Sequence, residues 1–535
     1  MQTWEIVAIV SLFFSLPVLL SAYYQLFLFI SSLRYPHNLE KELPELYSYP
    51  SVSILIAVFN EKNVIEKSLM AISKLDYPPE KLQVVVADDS IDDTVGIIDR
   101  GVYNLNVLGI KADISRRRSR ENFKSGALNK AMELVTGEYV LLLDADSTVQ
   151  PEIIKKGIHA IQTHEGTSFV SFRVGHYNRY SNFITRLFAL SQDLGDTVSK
   201  MGSYRVNMPY SFQGGFTLLR TQTVRDVGLW STNTITEDAD LSWKLYLAGT
   251  RGIYLSNVRI MSEDPSTLET WKKQTARVQQ GWSKLEIDNF KRTLKSKNLS
   301  ASKKIAILLV FISPFSNVSW IITTFISAFS LLFGWGSPST SIFNSPIYIA
   351  LVSVPVVIFY LSGIYALKVQ RILTLQNLVF VPILSYTTAC MVTRSAIAFV
   401  EGIFGKRGDF FRTPKRGGTD LQKSENYYKE IKLDKRSAIE AAFSAVGLVL
   451  GLYVLIDGVW ILALSMIGFS ILTLKSLNLS KIFEKRRENK VSESDINVSS
   501  TEKLNTFYQI STPSEMVSEQ HYETDSTLFI NDKKP

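Results

Sequence analysis

The chain has almost no cysteine. Its 535 residues include one, Cys390, which lies inside an apolar stretch. A disulfide within the chain would need two cysteines, and cysteine-based metal sites need several, so both are excluded.

Basic residues are missing from the N-terminus, where the first is Arg34. A cleaved signal peptide begins with basic residues and has a shorter apolar core than residues 4–33. That run exceeds the roughly 20 helical residues needed to cross a bilayer. We therefore expect residues 1–34 to form a retained transmembrane anchor, with Arg34 and Lys41 on the cytosolic side.

Further apolar blocks follow a more polar middle region, at 305–333, 346–368, 376–403, 438–456 and 459–475. We expect residues 291–404 to form transmembrane and interfacial helices, and residues 438–476 to form a transmembrane hairpin. Residues 477–535 are polar and without periodicity, which predicts a disordered cytosolic tail.

The net charge is +8, and much of the basic excess lies near the apolar blocks. Since cytosolic flanks of membrane helices collect Lys and Arg, and no nucleic-acid motif is present, we expect membrane lipids rather than nucleic acid as partners. The same bias assigns the basic loop 405–437 to the cytosol. Arg394 and Glu401 resist burial in lipid, so we expect 376–403 not to cross simply. Its second half, from about residue 392, is predicted to lie along the cytosolic interface as an amphipathic helix.

Residues 50–290 resemble a soluble α/β protein. Strand-like runs at Val52–Val58, Gln83–Ala87 and Tyr139–Leu143 alternate with helix-like runs at Val64–Leu75 and Asn122–Val135. This rhythm predicts a mostly parallel sheet, with ligands bound beyond the carboxyl ends of its strands.

Acidic residues follow these strands. Asp144 and Asp146 flank one residue at the end of the third run, so both carboxylates lie on one side of an extended segment. Such a pair suits a hard divalent cation, and the alternative is a solvated strand end. Asp88 and Asp89 end an earlier strand, where they could instead cap the next helix.

Thr236-Glu237-Asp238 precedes an amphipathic stretch. The segment is either a helix cap or the source of a general base, since one carboxylate must take the proton of an attacking hydroxyl. No lysine or histidine stands out nearby as an alternative base.

Taken in order, these segments resemble the inverting glycosyltransferases of family 2. The resemblance rests on Ala57-Val58-Phe59-Asn60-Glu61, Ala87-Asp88-Asp89-Ser90, Lys124-Ser125-Gly126-Ala127-Leu128-Asn129, Asp144-Ala145-Asp146, Gln213-Gly214-Gly215 and Thr236-Glu237-Asp238. It implies an α/β GT-A (Rossmann-like) catalytic domain over 50–290, combined here with an α-helical transmembrane region.

The resemblance also implies roles for individual residues. Glu61 and Asp89 would contact the uracil or ribose, and Lys124 would approach the diphosphate. Asp146 would bind Mg²⁺ or Mn²⁺, with Asp144 contacting the metal or the donor. Asp238 would be the base, and Gln213, Gly214 and Glu237 would line the substrate site.

Two further segments resemble the membrane-integrated branch, which includes cellulose, hyaluronan and mannan synthases and ceramide glucosyltransferases. Val278-Gln279-Gln280-Gly281-Trp282 is similar to the Gln-x-x-Arg-Trp motif of the acceptor site, where Trp282 would stack on a sugar. Gly281 replaces the usual arginine and Val278 the first glutamine, so Arg277 or Gln279 would substitute. An interfacial anchor is the alternative role for Trp282.

The second segment, Phe410-Phe411-Arg412-Thr413-Pro414-Lys415, resembles a gating loop that closes over the bound nucleotide. By that resemblance Thr413 and Lys415 would contact the donor. Without the family, this segment is a basic loop beside the membrane.

The sequence thus predicts a multi-pass enzyme of the cell membrane with a cytosolic catalytic domain. It would transfer a sugar from a nucleotide-sugar donor, expected to be a UDP-hexose, to a polysaccharide or lipid-linked acceptor. A polymer synthase and a single-sugar glycolipid transferase both remain open. A transporter or nucleotide-sensing scaffold is the remote alternative, and the paired hydrophobic repeats typical of transporters are not found.

Overall fold

A computed structural model describes residues 3–34, 46, 48–333, 346–405, 415, 435–456, 463–464 and 466–477. The predicted tail, most of the predicted gating-type loop and the turn of the predicted hairpin lie outside these residues.

Eight strands belong to the middle region. They are β1 (Val52–Val58), β2 (Leu82–Asp88), β3 (Lys111–Arg116), β4 (Tyr139–Asp144), β5 (Thr148–Val149), β6 (Thr167–His176), β7 (Phe216–Arg220) and β8 (Arg251–Ser262).

Helices precede, separate and follow these strands. They are α1 (Thr3–Leu33), α2 (Ile65–Ile72), α3 (Thr94–Val107), α4 (Phe123–Ala131), α5 (Ile153–Thr163), α6 (Phe183–Leu194), α7 (Met201–Arg205), α8 (Thr221–Asp226), α9 (Glu237–Leu247), α10 (Leu268–Lys295), α11 (Ala301–Leu332), α12 (Pro346–Val369), α13 (Leu375–Leu378), α14 (Phe380–Ala389), α15 (Val392–Ile403), α16 (Lys435–Ile456) and α17 (Met466–Leu477). A π-helical segment, Gly195–Lys200, joins α6 to α7.

The strands form one mixed sheet in the order β3-β2-β1-β4-β7-β6-β8-β5. The half that contains β3, β2, β1 and β4 is parallel. In the other half β7 runs antiparallel to β4 and β6, and β5 antiparallel to β8, while β6 and β8 are parallel. The prediction of an α/β GT-A domain is confirmed, whereas the sheet is less parallel than expected because β7 enters it in the opposite direction.

Both faces of the sheet are covered, which explains the continuous apolar runs of its central strands. Ile54 and Ile56 of β1 join one core cluster, while Leu55 between them joins the cluster on the opposite face. Strand residues alternate between faces, so a strand buried on both sides must be apolar at every position. Each fully buried Ile or Leu contributes about 1.5–3 kcal/mol relative to an exposed one.

Three helices of the described chain are long and apolar enough to cross a membrane: Glu5–Leu33, Ala301–Ser330 and Lys435–Ile456. Residues 375–389 and 392–403 meet that criterion only as a pair, and their axes differ by 45°. The chain therefore bends between these two helices, and whether either half crosses a membrane or lies along it stays a prediction.

Helix α10 connects the middle region to these apolar helices. Gly402 of α15 allows a close crossing, because a side chain there would overlap Ser283 of α10 and lie 2.6 Å from the carbonyl oxygen of Gln280. Arg436 on α16 is bound by Glu401 at 2.6 Å and by the side chain of Gln280 at 3.1 Å. The α10 helix is thus attached through side chains to both α15 and α16.

Candidate active site

The acidic residues predicted from the strand ends meet at one edge of the sheet. In the strand register Val58 of β1 is opposite Asp88, and Ala57 is opposite Asp144. Since these strands are parallel, their carboxyl ends place the following side chains above the same edge.

Asp88 and Asp89 have different partners. The Asp88 carboxylate accepts a hydrogen bond from Arg116 Nε at 2.9 Å and caps the turn by accepting from the Ser90 amide at 2.9 Å. Asp89 accepts two hydrogen bonds from Arg117, at 3.0 Å from Nε and 2.5 Å from Nη2. Asp89 is therefore fixed by a bidentate contact, which holds a planar carboxylate in one orientation.

The side chains around Asp89 extend toward the end of β1. The Arg120 guanidinium stacks on the ring of Phe59, 3.3 Å from its centroid. Asn60 adopts a left-handed backbone conformation with φ of 52°, and its side-chain oxygen accepts from the Ile91 amide at 2.9 Å. The Glu61 carbonyl accepts from the Val64 amide at 3.0 Å, at the entry to α2. The sequence motifs do not include Arg117 or Arg120, although both belong to the basic run 116–120.

Lys124 at the start of α4 lies among three carboxylates. Its Nζ is 2.7 Å from Asp144 Oδ1 and 3.8 Å from Glu237 Oε1. Burial would lower the pKa of Lys124, but the negative charges of Asp144, Glu237 and Asp238 outweigh burial and raise it. The ammonium therefore stays charged at the centre of the acidic segments.

Asp238 is held by two backbone amides. Gly214 donates to Oδ2 at 3.0 Å, and Ala239 donates to Oδ1 at 2.8 Å. A methyl group added at Gly214 would lie 3.4 Å from Asp238 Cβ and 3.7 Å from Lys124 Nζ. The segments Gln213–Gly215 and Thr236–Asp238, which the motifs placed in one site, are therefore in direct contact.

Glu237 is buried beside Asp238. Burial raises the pKa of Glu237 and Asp238 raises it further, while the positive charges of Lys124 and Arg277 oppose the increase. Two cations from different helices, Lys124 of α4 and Arg277 of α10, therefore offset the negative charge of this acidic pair.

Asp146 is buried, and its Oδ2 accepts three hydrogen bonds. The donors are Ser262 Oγ at 2.7 Å, the Glu263 amide at 2.8 Å and Lys415 Nζ at 2.9 Å. Burial alone would raise the pKa of Asp146, but Lys415 and these hydrogen bonds outweigh it and lower the pKa. Ser262 is the last residue of β8 and Glu263 follows it, and no motif in the sequence marked them.

The pair Asp144 and Asp146 fits a hard divalent cation through its oxygen donors. Each carboxylate forms an ion pair with a lysine ammonium: Asp144 with Lys124 and Asp146 with Lys415. The site therefore attracts positive charge. Among the described residues, no group of three or more His, Cys, Asp or Glu is arranged to hold a metal ion.

Gln213 is oriented by the π-helical segment and the helix before it. Its side-chain oxygen accepts from Lys200 Nζ at 3.2 Å, and its amide nitrogen donates to Gln192 at 3.2 Å. Lys200 is in turn paired with Asp196 at 2.8 Å. π-Helical insertions occur often at functional sites, and here the insertion supports the residue next to Gly214.

Helix α10 closes the site on the side of Thr236. A side chain at Gly281 would overlap Thr236 Cγ2 and lie 2.7 Å from its hydroxyl. An arginine, usual at this position in the motif quoted above, cannot fit this crossing. Arg277, one turn earlier, acts through its charge on Glu237. The chain also reads Gln274-Thr275-Ala276-Arg277, so a Gln-x-x-Arg spacing exists one turn before the segment on which the resemblance rests.

The other residues predicted on α10 have mixed surroundings. The Trp282 ring packs edge-on against Trp243, with 6.2 Å between centroids, at the border of a core cluster. The side-chain oxygen of Gln279 is buried and has no hydrogen-bond partner among the described residues. Thr413 lies outside those residues.

Side-chain contacts and nearby charges connect several of the predicted residues to one another. Arg117 connects Asp89 with α4 through the Phe123 carbonyl at 3.0 Å. From α4, Lys124 reaches Asp144 and Glu237. Lys415 binds Asp146, and it also interacts with the negative charge of Asp144. The Tyr177 hydroxyl donates to Glu263 at 2.9 Å, and its pKa is raised by burial and by nearby charges that include Asp146 and Glu61.

Residues 139–367 match the family model described as glycosyl transferase family group 2. Probable glucomannan 4-beta-mannosyltransferase 7 of Oryza sativa subsp. japonica is 29% identical over 267 residues, 49% of this chain and 46% of the relative. Glucomannan 4-beta-mannosyltransferase 2 of Arabidopsis thaliana is 26% identical over 268 residues, 49% of this chain and 50% of the relative. The chain thus spans about half the length of the curated relatives it matches.

A solved structure of mannosyltransferase PcManGT from Pyrobaculum calidifontis in complex with GDP-Man and Mn2+ covers 76% of this chain and 100% of its own, with 19% identity and a TM-score of 0.48. A likeness this remote carries no conclusion about the site. The family-model match and the curated relatives, together with the mixed α/β sheet, support a glycosyltransferase domain of family 2 in this chain.

Proposed function

We propose that the protein transfers a hexosyl group from a nucleotide sugar to a polysaccharide acceptor, by a single displacement with inversion. The observation that carries the proposal is the Asp238 carboxylate, which two backbone amides orient near the partly buried ammonium of Lys124. The proposal is supported because a base at Asp238 would then have a cation beside it.

In the proposed reaction, Asp238 accepts the proton of the acceptor hydroxyl as that oxygen forms a bond to the anomeric carbon. The bond from the anomeric carbon to the diphosphate oxygen breaks, and the nucleoside diphosphate leaves with the electron pair. Lys124 and Lys415 offset the charge of the leaving group from two sides, and such fixed charges stabilise a transition state without reorganising.

Asp144 and Asp146 would hold Mg²⁺ or Mn²⁺, which when bound neutralises diphosphate charge. Asp89, held by Arg117, would orient the base or ribose together with Glu61. Gln213 and Gly214 would line the acceptor side, where Arg277 with Gln274 is the alternative to Gln279 and Trp282 for contacting the acceptor. Two observations support Gln274 and Arg277 in this role: the close packing of Gly281 against Thr236, and the effect of the Arg277 charge on Glu237.

The donor sugar is the least constrained part of the proposal. The resemblance favoured a UDP-hexose, while the curated relatives are named as mannosyltransferases. A screen of UDP- and GDP-linked hexoses with membranes that contain the protein decides between them. A single-sugar transferase acting on a lipid acceptor is the second candidate, and long radiolabelled polymer as product would exclude it.

The apolar helices support a multi-pass location in the cell membrane, with residues 50–290 and 405–437 in the cytosol. Protease protection of sealed vesicles tests this orientation. Cleavage within residues 50–290 from the luminal or extracellular side alone would contradict it.

Asp238→Asn tests the mechanism, because it keeps the shape of the side chain and removes its basicity. We expect turnover to fall by about 10²–10⁴-fold with little change in the Kd of the donor. Asp226→Asn, at an exposed carboxylate that accepts from Gln222 at 2.7 Å, is the matched control. Equal turnover in the two variants would exclude Asp238 as the base.

A further inference from the structure

The sequence between residues 289 and 400 contains no Asp or Glu. At the start of this stretch, where α10 ends and α11 begins, six basic residues fall within fourteen positions: Lys291, Arg292, Lys295, Lys297, Lys303 and Lys304. This segment, residues 287–305, is called the α10–α11 junction below. None of its residues takes part in the proposed active site.

The basic side chains of the junction have no acidic partner within the described part of the chain. Lys291, Arg292, Lys295 and Lys297 are exposed. The contacts of the junction are to neutral groups, as with Lys304 Nζ, which donates to the Leu294 carbonyl at 2.9 Å.

The two acidic residues nearest to these basic side chains, Glu286 before the junction and Asp288 within it, do not neutralise it. Asp288 is paired with Lys284 at 2.8 Å. Glu286 is largely buried, and burial raises its pKa to about 9, so it is uncharged at neutral pH. Apart from Asp288, which is paired with Lys284, the junction has no acidic residue, so its positive charge is concentrated and largely uncompensated.

An apolar stripe accompanies this charge. Ile287, Phe290 and Leu294 are 50%, 47% and 45% exposed. Their spacing of three and four residues puts them on one face of α10. Ile305, 58% exposed, continues the apolar surface onto α11. An exposed apolar stripe flanked by lysines is the pattern of a helix that lies in the boundary between lipid headgroups and acyl chains.

We propose that the α10–α11 junction is a binding surface for anionic phospholipid headgroups, with Ile287, Phe290 and Leu294 inserted beneath them. The position favours this occupant, because the candidate span Ala301–Ser330 begins within the junction itself. A soluble polyanion such as RNA would neutralise the lysines but leave the apolar stripe in water. Since α10 also carries Arg277 and Gly281, lipid binding would occur at the far end of the helix that closes the cleft.

Lipid selectivity of the full-length protein tests the proposal directly. The protein is placed in phosphatidylcholine nanodiscs with a spin-labelled phosphatidylglycerol or a spin-labelled phosphatidylcholine, and the motionally restricted fraction of each gives their relative association constant. We expect a several-fold preference for phosphatidylglycerol that falls as salt rises from about 0.05 M to about 0.5 M, because exposed charges are screened.

The triple variant Lys291→Gln, Lys295→Gln, Lys297→Gln should remove most of this preference. The matched control is Lys74→Gln, Lys81→Gln, Lys111→Gln, three exposed lysines of the soluble region, which should retain it. Equal association of the two lipids with the unmodified protein, or an unchanged preference in the junction variant, would overturn the proposal. So would a junction variant that loses affinity for RNA and keeps its lipid preference.

A second measurement addresses the apolar stripe. With Cys390→Ser as background, a nitroxide is attached at Leu294→Cys, and at Val107→Cys as control, since Val107 is 68% exposed on α3. We expect the label at 294 to be more accessible to oxygen and the label at 107 to a water-soluble nickel complex. Equal nickel accessibility at both positions would contradict insertion. Neither measurement depends on glycosyl transfer, so their outcomes are independent of the proposed function.

Discussion

The ammonium group of Lys272 lies 2.7 Å from the carboxylate of Glu440, although the two residues are 168 positions apart in the chain. Both side chains are almost completely buried, at 1% and 0% exposure. Lys272 also donates to Ser476 Oγ at 3.3 Å. The contact joins α10, which closes the candidate active site, to α16 and α17.

Removing one partner of this pair should destabilise the protein strongly. Lys272→Met leaves the Glu440 carboxylate buried without its cation, which typically costs about 3–5 kcal/mol. We expect a clear decrease in the Tm of the detergent-solubilised protein. Replacing both residues, as Lys272→Met with Glu440→Leu, should restore most of it because no charge is then left alone.

The control for this pair is Lys284→Met, which breaks the more exposed contact with Asp288. Such pairs contribute about 0–1 kcal/mol, so a small decrease is expected. If Lys272→Met and Lys284→Met had the same Tm, the buried pair would not hold α10 to α16.

Gly281→Ala should impair both stability and transfer. The added methyl group would overlap Thr236 Cγ2 and shift α10 away from Glu237 and Asp238. Overpacking of this kind costs about 1–3 kcal/mol. We expect a lower Tm and a lower kcat, measured on the same preparation.

Gly195→Ala is the matched control, because a methyl group there meets no atom within 4 Å. The double variant Gly281→Ala with Thr236→Ser, which removes the overlapping methyl group, should recover part of the kcat. Full activity of Gly281→Ala would mean that the crossing tolerates a side chain.

Glu286→Gln should make stability less dependent on pH. Burial raises the pKa of Glu286 to about 9 in the folded protein, whereas in the unfolded chain it is about 4.3. Between these values the unfolded chain releases a proton that the folded protein keeps, so the free energy of unfolding falls as the pH rises.

In the glutamine variant this decrease in the free energy of unfolding does not occur. Its Tm relative to the unmodified protein should therefore increase steadily from about pH 5 to about pH 9. A Tm difference that is constant over this range would show that Glu286 is ionised in the folded protein at neutral pH.

Lys415→Gln should separate metal binding from donor binding. Lys415 donates to the same Asp146 oxygen that would ligate a cation, so its removal should tighten the binding of Mn²⁺ alone, by about tenfold or more, because an adjacent positive charge is lost. The nucleotide-sugar Kd should rise, since the variant no longer offsets diphosphate charge.

Electron paramagnetic resonance of free Mn²⁺ and calorimetry of the donor measure these two effects. Lys62→Gln, at an exposed ion pair with Asp93, is the control and should change neither. Unchanged Mn²⁺ affinity in Lys415→Gln would contradict a shared position for the ammonium and the metal.

The sequence predicted the strands that carry the acidic residues because these strands are buried on both faces. Val52–Val58 coincides with β1, and the other two predicted runs fall within β2 and β4. Apolar content along a short run, followed by aspartate, is a local signal that needs no knowledge of the rest of the chain. The edge of the sheet at which these carboxylates meet then followed from the parallel order.

The remaining features depend on contacts between distant segments. The reversed direction of β7 follows from the path of the chain between β6 and β7, and its own apolar pattern does not indicate it. Arg117 and Ser262 bind predicted aspartates, yet arginine and serine are common on any surface and gave no signal. Gly281 departs from the motif because it packs against Thr236, a contact between distant segments that the sequence does not indicate.

The 28 residues of α10 form one helix, about 42 Å long at 1.5 Å per residue. Lys272 near its beginning, Gly281 at its centre and Leu294 near its end belong to a single straight element, which runs from the apolar helices past the carboxylates of the candidate site. A rod fixed at several points cannot change its tilt without moving all of them. A shift of its Leu294 end would therefore also change how Gly281 packs against Thr236.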